Sequence, residues 1–204
     1  DCARDTIALL DSAPHNRSIT FWIRALTFRD STEALDAVIQ DITCEDSTPP
    51  PDELADPVFG GGMPHSLLSV CWRLSARNTV AVEERLRRVR LSRDAAQRID
   101  PKRFPMQSGV CVALSLLAEA DVLSSESDGA LAPGAMVLYE DAIRLLEGLG
   151  DAWHLIDAWE SKGSLLCDAL GDSEGLERAG IIAQEYRKNA FGPYYSIWEG
   201  LHRS

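Results

Sequence analysis

Apolar residues recur at helical spacing over most of the chain, and this periodicity restricts the fold more than any other feature of the sequence. Alternation of apolar and polar residues over four or more positions, which would indicate strands, is hard to find. We therefore predict an all-α protein with about eight to ten helices. Because 45% of its 204 residues are hydrophobic, the chain can bury a substantial core, and we expect residues 1–204 to form a single helical domain.

Capping and helix-breaking residues predict where the helices begin and end. The spacing of Asp30 and Glu33 is that of a capping box, so a helix is expected to start there. Asn78 or Thr79 is expected to cap a long helix that ends at Ile99. The predicted helices cover residues 3–10, 17–27, 30–42, 65–76, 79–99, 105–120, 135–149, 152–170 and 173–190, and residues 121–133 are predicted to form a polar loop.

The longest interruption of the helical pattern is the segment 44–63, which contains a run of three prolines and a run of three glycines. We predict a long acidic loop here. Nine acidic residues and no Lys or Arg lie between Asp30 and Trp72. These acids are interpreted as a solvated edge or, alternatively, as a docking surface for a basic partner.

The long helix that follows this segment is rich in arginine. We expect its arginines on the outer faces, where Arg85 and Arg88 would contact a partner or pair with acidic residues. The arginines are Arg85, Arg87, Arg88, Arg90, Arg93 and Arg98.

The formal net charge of −12 restricts the choice of partner. A chain this acidic repels phosphate backbones and anionic lipids, so we expect neither nucleic acid nor a membrane as a direct partner. No apolar run approaches the roughly 18 residues of a membrane span. The five cysteines are scattered and none belongs to a C-x-x-C pair, which favours a reducing compartment such as the cytoplasm.

Motifs for catalysis are not found in the sequence. It contains no phosphate-binding loop, dinucleotide fingerprint, nucleophile elbow or zinc-protease motif. His154 and Asp157 lie three positions apart, a spacing that two such groups often reach by chance, and His154 is interpreted as partly exposed beside a helix cap. We therefore predict no catalytic residue, cofactor or metal. The five tryptophans are interpreted as core and groove packing residues.

The strongest internal pattern is a repeated helix joint. The segment 146–151, LEGLGD, recurs in degenerate form twenty-one residues later as 167–172, CDALGD. In each copy the second glycine or its equivalent is expected to end one helix in the left-handed conformation, and the following Asp to cap the next helix. Residues 136–190 hold the best-defined repeat, and repeated helix pairs of this kind are typical of helical solenoids.

Within this repeat, the pattern Trp159-x-x-x-Gly163-x-x-Leu166, followed by the joint 170–172 and by Ala179, resembles the first helix and turn of a tetratricopeptide repeat (TPR). The spacing of the two Gly-Asp joints is similar to that in the C-terminal arms of large bacterial ATP-dependent transcriptional activators. The resemblance implies a right-handed solenoid of antiparallel helix hairpins. It also implies a non-enzymatic interaction module that holds a peptide or another helix on its concave face.

On this resemblance we expect a protein or peptide partner, bound in a groove that uses Trp159, Lys162 and Leu166. The chain would be a regulatory segment of a larger protein, such as a transcriptional regulator. Residues 191–204, which are rich in aromatic side chains, would cap the last helices.

Two alternatives belong to other functional classes. A small-molecule sensor or helical enzyme would have a pocket between helices, lined by His154, Asp157 or Cys111. A homodimeric scaffold would place residues 85–98 of one protomer against residues 30–56 of its mate, through their opposite charges.

Overall fold

The structure, a computed structural model, describes residues 24–27, 29–45, 63–125 and 131–192. These ranges contain helices and no strand, so the all-α prediction is confirmed for them. A helical segment over residues 24–27 comes first. The helices that follow are α1 (Thr32–Glu45), α2 (Met63–Arg77), α3 (Val82–Gln97), α4 (Pro105–Ser124), α5 (Ala132–Leu149), α6 (Ala152–Leu170) and α7 (Ser173–Phe191).

Several predicted segments lie outside the described residues. They are the helix 3–10, most of the helix 17–27, the interior of the acidic loop 44–63 and nearly all of the aromatic cap 191–204. At the two ends of the acidic loop, α1 continues to Glu45 and α2 begins at Met63. The interpretation of residues 1–204 as a single domain stays a prediction.

The helix starts in the first half of the chain differ from the predicted ones. The side chain that caps α1 is Ser31 and not Asp30, because the backbone N–H of Ala34 donates to Ser31 Oγ at 3.2 Å. The long helix α3 starts at Val82, and its N-cap residue Ala81 offers no side-chain hydrogen bond. The predicted cap at Asn78 or Thr79 is therefore wrong.

Asn78 and Thr79 instead serve the end of α2. The Thr79 hydroxyl donates to the carbonyl of Ser75 at 2.8 Å, and the Asn78 amide donates to the carbonyl of Arg29 at 2.6 Å. Both side chains are bound to backbone that precedes them, so neither can reach the first turn of α3. That helix ends at Gln97 with Arg98 as its C-cap, two residues before the predicted end at Ile99.

The predicted polar loop 121–133 is shorter than expected. Helix α4 continues to Ser124, and α5 begins at Ala132 with a proline in its first turn. A proline fits this position because the first N–H groups of a helix have no intrahelical acceptor.

The chain divides into two compact units, Asp1–Ser115 and Leu116–Ser204. In the first unit, α2 packs against both α1 and α3. The apolar residues of α1 recur every three to four positions and so form one buried stripe. The buried cluster of this unit comprises Ala25, Leu35, Val38, Ile39, Ile42, Leu67, Leu68, Cys71 and Ala95.

Three buried serines join the helices of the first unit. Ser92 Oγ lies 3.0 Å from Ser69 Oγ and 2.7 Å from Ser115 Oγ. The Ser115 hydroxyl also donates to the carbonyl of Cys111 at 2.8 Å. Because each hydroxyl has a hydrogen-bond partner, the cluster avoids the penalty of unsatisfied buried polar groups, and its small side chains let the helices approach closely.

In the second unit, α6 packs against α5 and α7. Gly150 and Gly171 end α5 and α6 with φ angles of 70° and 68°, the left-handed conformation that favours glycine. Asp151 and Asp172 then cap α6 and α7 by accepting backbone N–H bonds at 3.2 Å and 2.8 Å. The predicted helix joints are confirmed.

Helix α4 is the most apolar of the described helices. Among the described residues it alone has the length and composition of a membrane-spanning helix, with a mean hydropathy of 1.4 over an 18-residue window. The sequence contains no uninterrupted apolar run of this length, as expected. The mean hydropathy of α4 is high although the helix includes the polar residues Gln107 and Glu119. Half of the window is buried inside the structure, and core helices of soluble proteins have the same properties.

Candidate binding face on helix α6

The residues predicted to line a groove make contacts inside the second unit. The Lys162 side chain is only 14% exposed, and its Nζ lies 3.1 Å from Glu140 Oε1 on α5. The same Nζ lies 5.1 Å from the ring centroid of Trp159, which is a cation–π contact. The Trp159 indole N–H is buried and has no acceptor among the described residues. Trp159 and Lys162 thus form one contact that faces α5.

Leu166 and Gly163 hold α6 against α7. A Cβ added at Gly163 would lie 3.0 Å from Ala179 Cβ, so the two helix backbones approach closely at this point. A Cβ added at Gly175 would lie 3.0 Å from Leu166 Cδ1. The stripe formed by Trp159, Lys162 and Leu166 is therefore engaged with the neighbouring helices.

Another face of α6 is open to solvent. The exposed residues Trp153, Asp157, Ser164 and Asp168 are separated by four, seven and four positions, which places them on one side of a helix. Trp153 is 59% exposed. Trp153 is therefore not a core residue, and its interpretation as a groove residue stays a prediction. We call these four residues the open face of α6.

A small cavity of about 190 Å³ adjoins the open face and is formed by α4, α5 and α6 of the second unit. Most of the described residues that line it are polar, and none of them is basic. The polar residues of the lining are Asp121, Ser124, Tyr139, Ser161, Ser164 and Asp168.

Tyr139 is the buried part of this cavity. Its side chain is 1% exposed, and its hydroxyl donates a hydrogen bond to Asp121 Oδ1 at 2.5 Å. Burial, followed by the charge of Asp121 and this hydrogen bond, raises the pKa of Tyr139 above its ordinary value. The phenol consequently keeps its proton at neutral pH and holds the Asp121 carboxylate in place. The cavity presents carboxylate and hydroxyl oxygens, which are the groups that bind a cation.

In the first unit, Arg88 is buried and paired within the chain, so its predicted place on an outer face is wrong. Its Nη2 lies 2.9 Å from Asp36 Oδ2, and its Nε lies 2.8 Å from Glu84 Oε1. The guanidinium also bonds to Ser75 Oγ and lies 5.7 Å from the ring centroid of Trp72. We call these five residues the Arg88 cluster. One arginine thereby joins α1, α2 and α3.

The cluster changes the acidity of its carboxylates. The hydrogen bond from Arg88 is the main cause that lowers the pKa of Asp36. Hydrogen bonds from Arg87 and then Arg88 lower the pKa of Glu84 to about 2. Arg85, the other predicted contact residue, is half-buried, and its Nε is buried with no acceptor among the described residues. Of the arginines of α3, Arg87 and Arg88 are therefore paired with carboxylates of the same unit.

The residues of the predicted sensor pocket do not line the cavity. His154 Nδ1 lies 2.6 Å from Asp151 Oδ2, the residue that caps α6. Asp157 belongs to the open face, and Cys111 is buried in the first unit, where burial raises the pKa of its thiol. Within the described ranges, no group of three or more His, Cys, Asp or Glu side chains could hold a metal ion.

The sequence analysis predicted neither the open face nor the cavity. The residues of the cavity come from three helices, and no local pattern links Asp121 to Asp168. A signal for the open face did exist, because Trp153, Asp157, Ser164 and Asp168 are separated by spacings that place residues on one side of a helix.

Comparisons with known proteins identify no relative. No protein-family model matches the chain, and no curated protein or solved structure matches it either. No enzyme family or enzyme homologue is therefore found.

Proposed function

We propose that this chain is a non-enzymatic interaction module that binds a basic peptide or helix on the open face of α6. The observation that carries the proposal is the exposed Trp153 on the same helix face as Asp157 and Asp168. Tryptophan is enriched among the residues that contribute most of the binding energy at protein interfaces, and the carboxylates supply charge complementarity to a basic partner.

A TPR-like arrangement of the second unit would place this face on a concave binding surface. In such a stack of antiparallel hairpins, α4 and α6 would be the first helices of successive pairs and would line one concave surface. The repeated Gly-Asp joints and the close approach of Gly163 to Ala179 support this arrangement. Trp159, Lys162 and Leu166 would then fix α6 between its neighbours, and the partner would lie on the adjacent open face.

The charge of the chain favours a basic partner, and its scattered cysteines favour an intracellular setting. A net charge of −12 attracts basic segments over distances of about 10 Å at 0.1 M salt and repels nucleic acid. We further propose that the module belongs to a larger regulator, such as a transcriptional regulator, as the resemblance to activator repeat arms implies. The homodimeric scaffold is less well supported, because Arg88 already pairs with Asp36 inside one chain.

The experiment that tests this function is a selection from a phage-displayed library of random peptides, with the purified chain as bait. Two variants of equal charge change are compared: Asp157→Lys on the open face and Glu177→Lys on the exposed side of α7. We expect the selected peptides to be basic. Their dissociation constants should rise at least about tenfold with Asp157→Lys and stay within about twofold with Glu177→Lys.

Two results would reject the proposed function. The first is a selection that enriches no peptide over a bait-free control. The second is a set of peptides that bind Asp157→Lys and Glu177→Lys with equal affinity, because binding would then depend on total charge and not on this face.

A further inference from the structure

We propose that the cavity beside α6 binds a single alkylammonium group, supplied by a lysine side chain of the partner. The inference rests on the proposed function for the source of the group. The size and charge of the occupant follow independently from the volume of the cavity, its lining and the buried Tyr139.

The volume of the cavity restricts the size of its occupant. At about 190 Å³ it is smaller than the roughly 300–1,000 Å³ of pockets that enclose drug-sized ligands and cofactors. It is large enough for one extended side chain. The volume therefore favours a single residue of a partner over a sensed small molecule or a prosthetic group.

The lining restricts the charge of the occupant. Asp121 and Asp168 supply carboxylates from α4 and α6, and Ser161 and Ser164 supply hydroxyl oxygens. No Lys, Arg or His belongs to the described lining, so an anion would find no opposite charge among these residues. A cation is the complementary ligand.

Tyr139 adds a buried hydrogen-bond donor to the two carboxylates of the cavity. Its hydroxyl is buried and donates a hydrogen bond to Asp121, so the phenol orients that carboxylate before any ligand arrives. An ionised carboxylate has about four acceptor sites, and the hydrogen bond from Tyr139 occupies one of those of Asp121. Preorganised acceptors cost less entropy on binding than mobile ones.

An ammonium group fits these acceptors better than the other common cations. It presents three donors on a compact head, and the acceptors of this cavity come from different helices. A guanidinium requires a planar, bidentate partner for its best geometry. A calcium ion needs six to eight oxygen ligands, and among the described residues no group of three or more His, Cys, Asp or Glu side chains could hold a metal ion.

The test is a titration of the ¹⁵N-labelled chain with n-butylammonium chloride, which reproduces the end of a lysine side chain, at constant ionic strength. We expect saturable shifts of the Ser161 and Ser164 amide signals, with a dissociation constant in the range of about 1–10 mM. The neutral probe n-butanol should cause smaller shifts. Titrations with n-propylguanidinium chloride and calcium chloride identify the preferred cation.

Two variants that each remove one negative charge provide the matched comparison. Asp168→Asn removes a charge that lines the cavity, whereas Glu177→Gln removes an exposed charge on α7 that does not line it. We expect Asp168→Asn to raise the dissociation constant of n-butylammonium at least about fivefold and Glu177→Gln to leave it unchanged. Asp121→Asn is the second cavity variant if Asp168→Asn does not fold.

Several results would overturn the inference. These are shifts that are absent, shifts matched by n-butanol, equal effects of Asp168→Asn and Glu177→Gln, or tighter binding of the guanidinium or calcium probe. If n-butylammonium binds as expected but selected peptides keep their affinity for Asp168→Asn, lysine is overturned as the source and a free amine replaces it. If the selection yields no peptide while the Asp168-dependent titration succeeds, the proposed function fails and the ammonium site stands.

Discussion

Gly163 on α6 lies so close to Ala179 on α7 that a Cβ added at the glycine would be 3.0 Å from the Cβ of the alanine. It would also be 3.2 Å from Leu176 Cδ1. Both distances are shorter than the usual separation of carbon atoms in contact. The glycine therefore permits the close packing of α6 and α7 next to the open face.

Gly163→Ala should destabilise the chain. The added methyl group meets Ala179, whose Cβ cannot move without its backbone, and the overpacking is expected to cost about 1–3 kcal/mol of unfolding free energy. Gly180→Ala is the matched control, because nothing lies within 4 Å of a Cβ at Gly180. This second change should stabilise α7 by about 0.5–1 kcal/mol through helix propensity. Urea unfolding followed by circular dichroism measures both, and equal stabilities would contradict the packing account.

Arg88→Met should destabilise the first unit. The change leaves Asp36 and Glu84 without the guanidinium that joins three helices. Because Asp36 is 40% exposed, water screens the loss, and we expect about 2 kcal/mol, less than the 3–5 kcal/mol typical of a fully buried pair. Arg87→Met removes an exposed ion pair on the same helix and should cost less than about 1 kcal/mol. Equal losses in urea unfolding would show that Arg88 has no special structural role.

Acidification should weaken the Arg88 cluster. The pKa of Asp36 and Glu84 is lower in the folded chain than in the unfolded one, so the unfolded state takes up more protons as the pH falls. The stability that these carboxylates contribute is complete above the ordinary Glu value of 4.5 and is lost as the pH falls towards about 2. We expect a smaller loss over this pH range in Arg88→Met than in the unchanged chain. An identical pH dependence of the unfolding free energy in the two proteins would contradict this prediction.

Asp172→Ala tests the helix joint between α6 and α7. The Asp172 carboxylate accepts the backbone N–H of Gly175 at 2.8 Å, and removal of an N-cap of this kind costs about 0.5–2 kcal/mol. Asp172→Asn keeps a capping oxygen and should retain most of the stability. Thermal unfolding of the two variants provides the comparison. If the two melt at the same temperature, charge and not the capping hydrogen bond determines the effect.

Local signals in the sequence predicted the second unit well. The observed ends of α6, Ala152 and Leu170, coincide with the predicted ones, and α7 begins at the predicted Ser173. These boundaries depend on residues next to one another, namely a glycine in the left-handed conformation and an aspartate that caps the following helix. Such signals need no knowledge of the tertiary structure.

Long-range contacts were beyond the reach of the sequence. Arg88 is buried because Asp36 lies beside it in space, although 52 residues separate them in the chain. Asn78 fails to cap α3 because its amide binds the carbonyl of Arg29, 49 residues earlier. A helical pattern assigns residues to faces, but it does not specify which face each neighbouring helix will cover.

The most direct test of the account is to map where a selected lysine-containing peptide lies on the ¹⁵N-labelled chain. If the open face of α6 is the binding surface, the largest shifts will fall on Trp153, Ser164 and Asp168. Shifts concentrated on the exposed side of α7, around Glu177 and Ile181, would contradict the account.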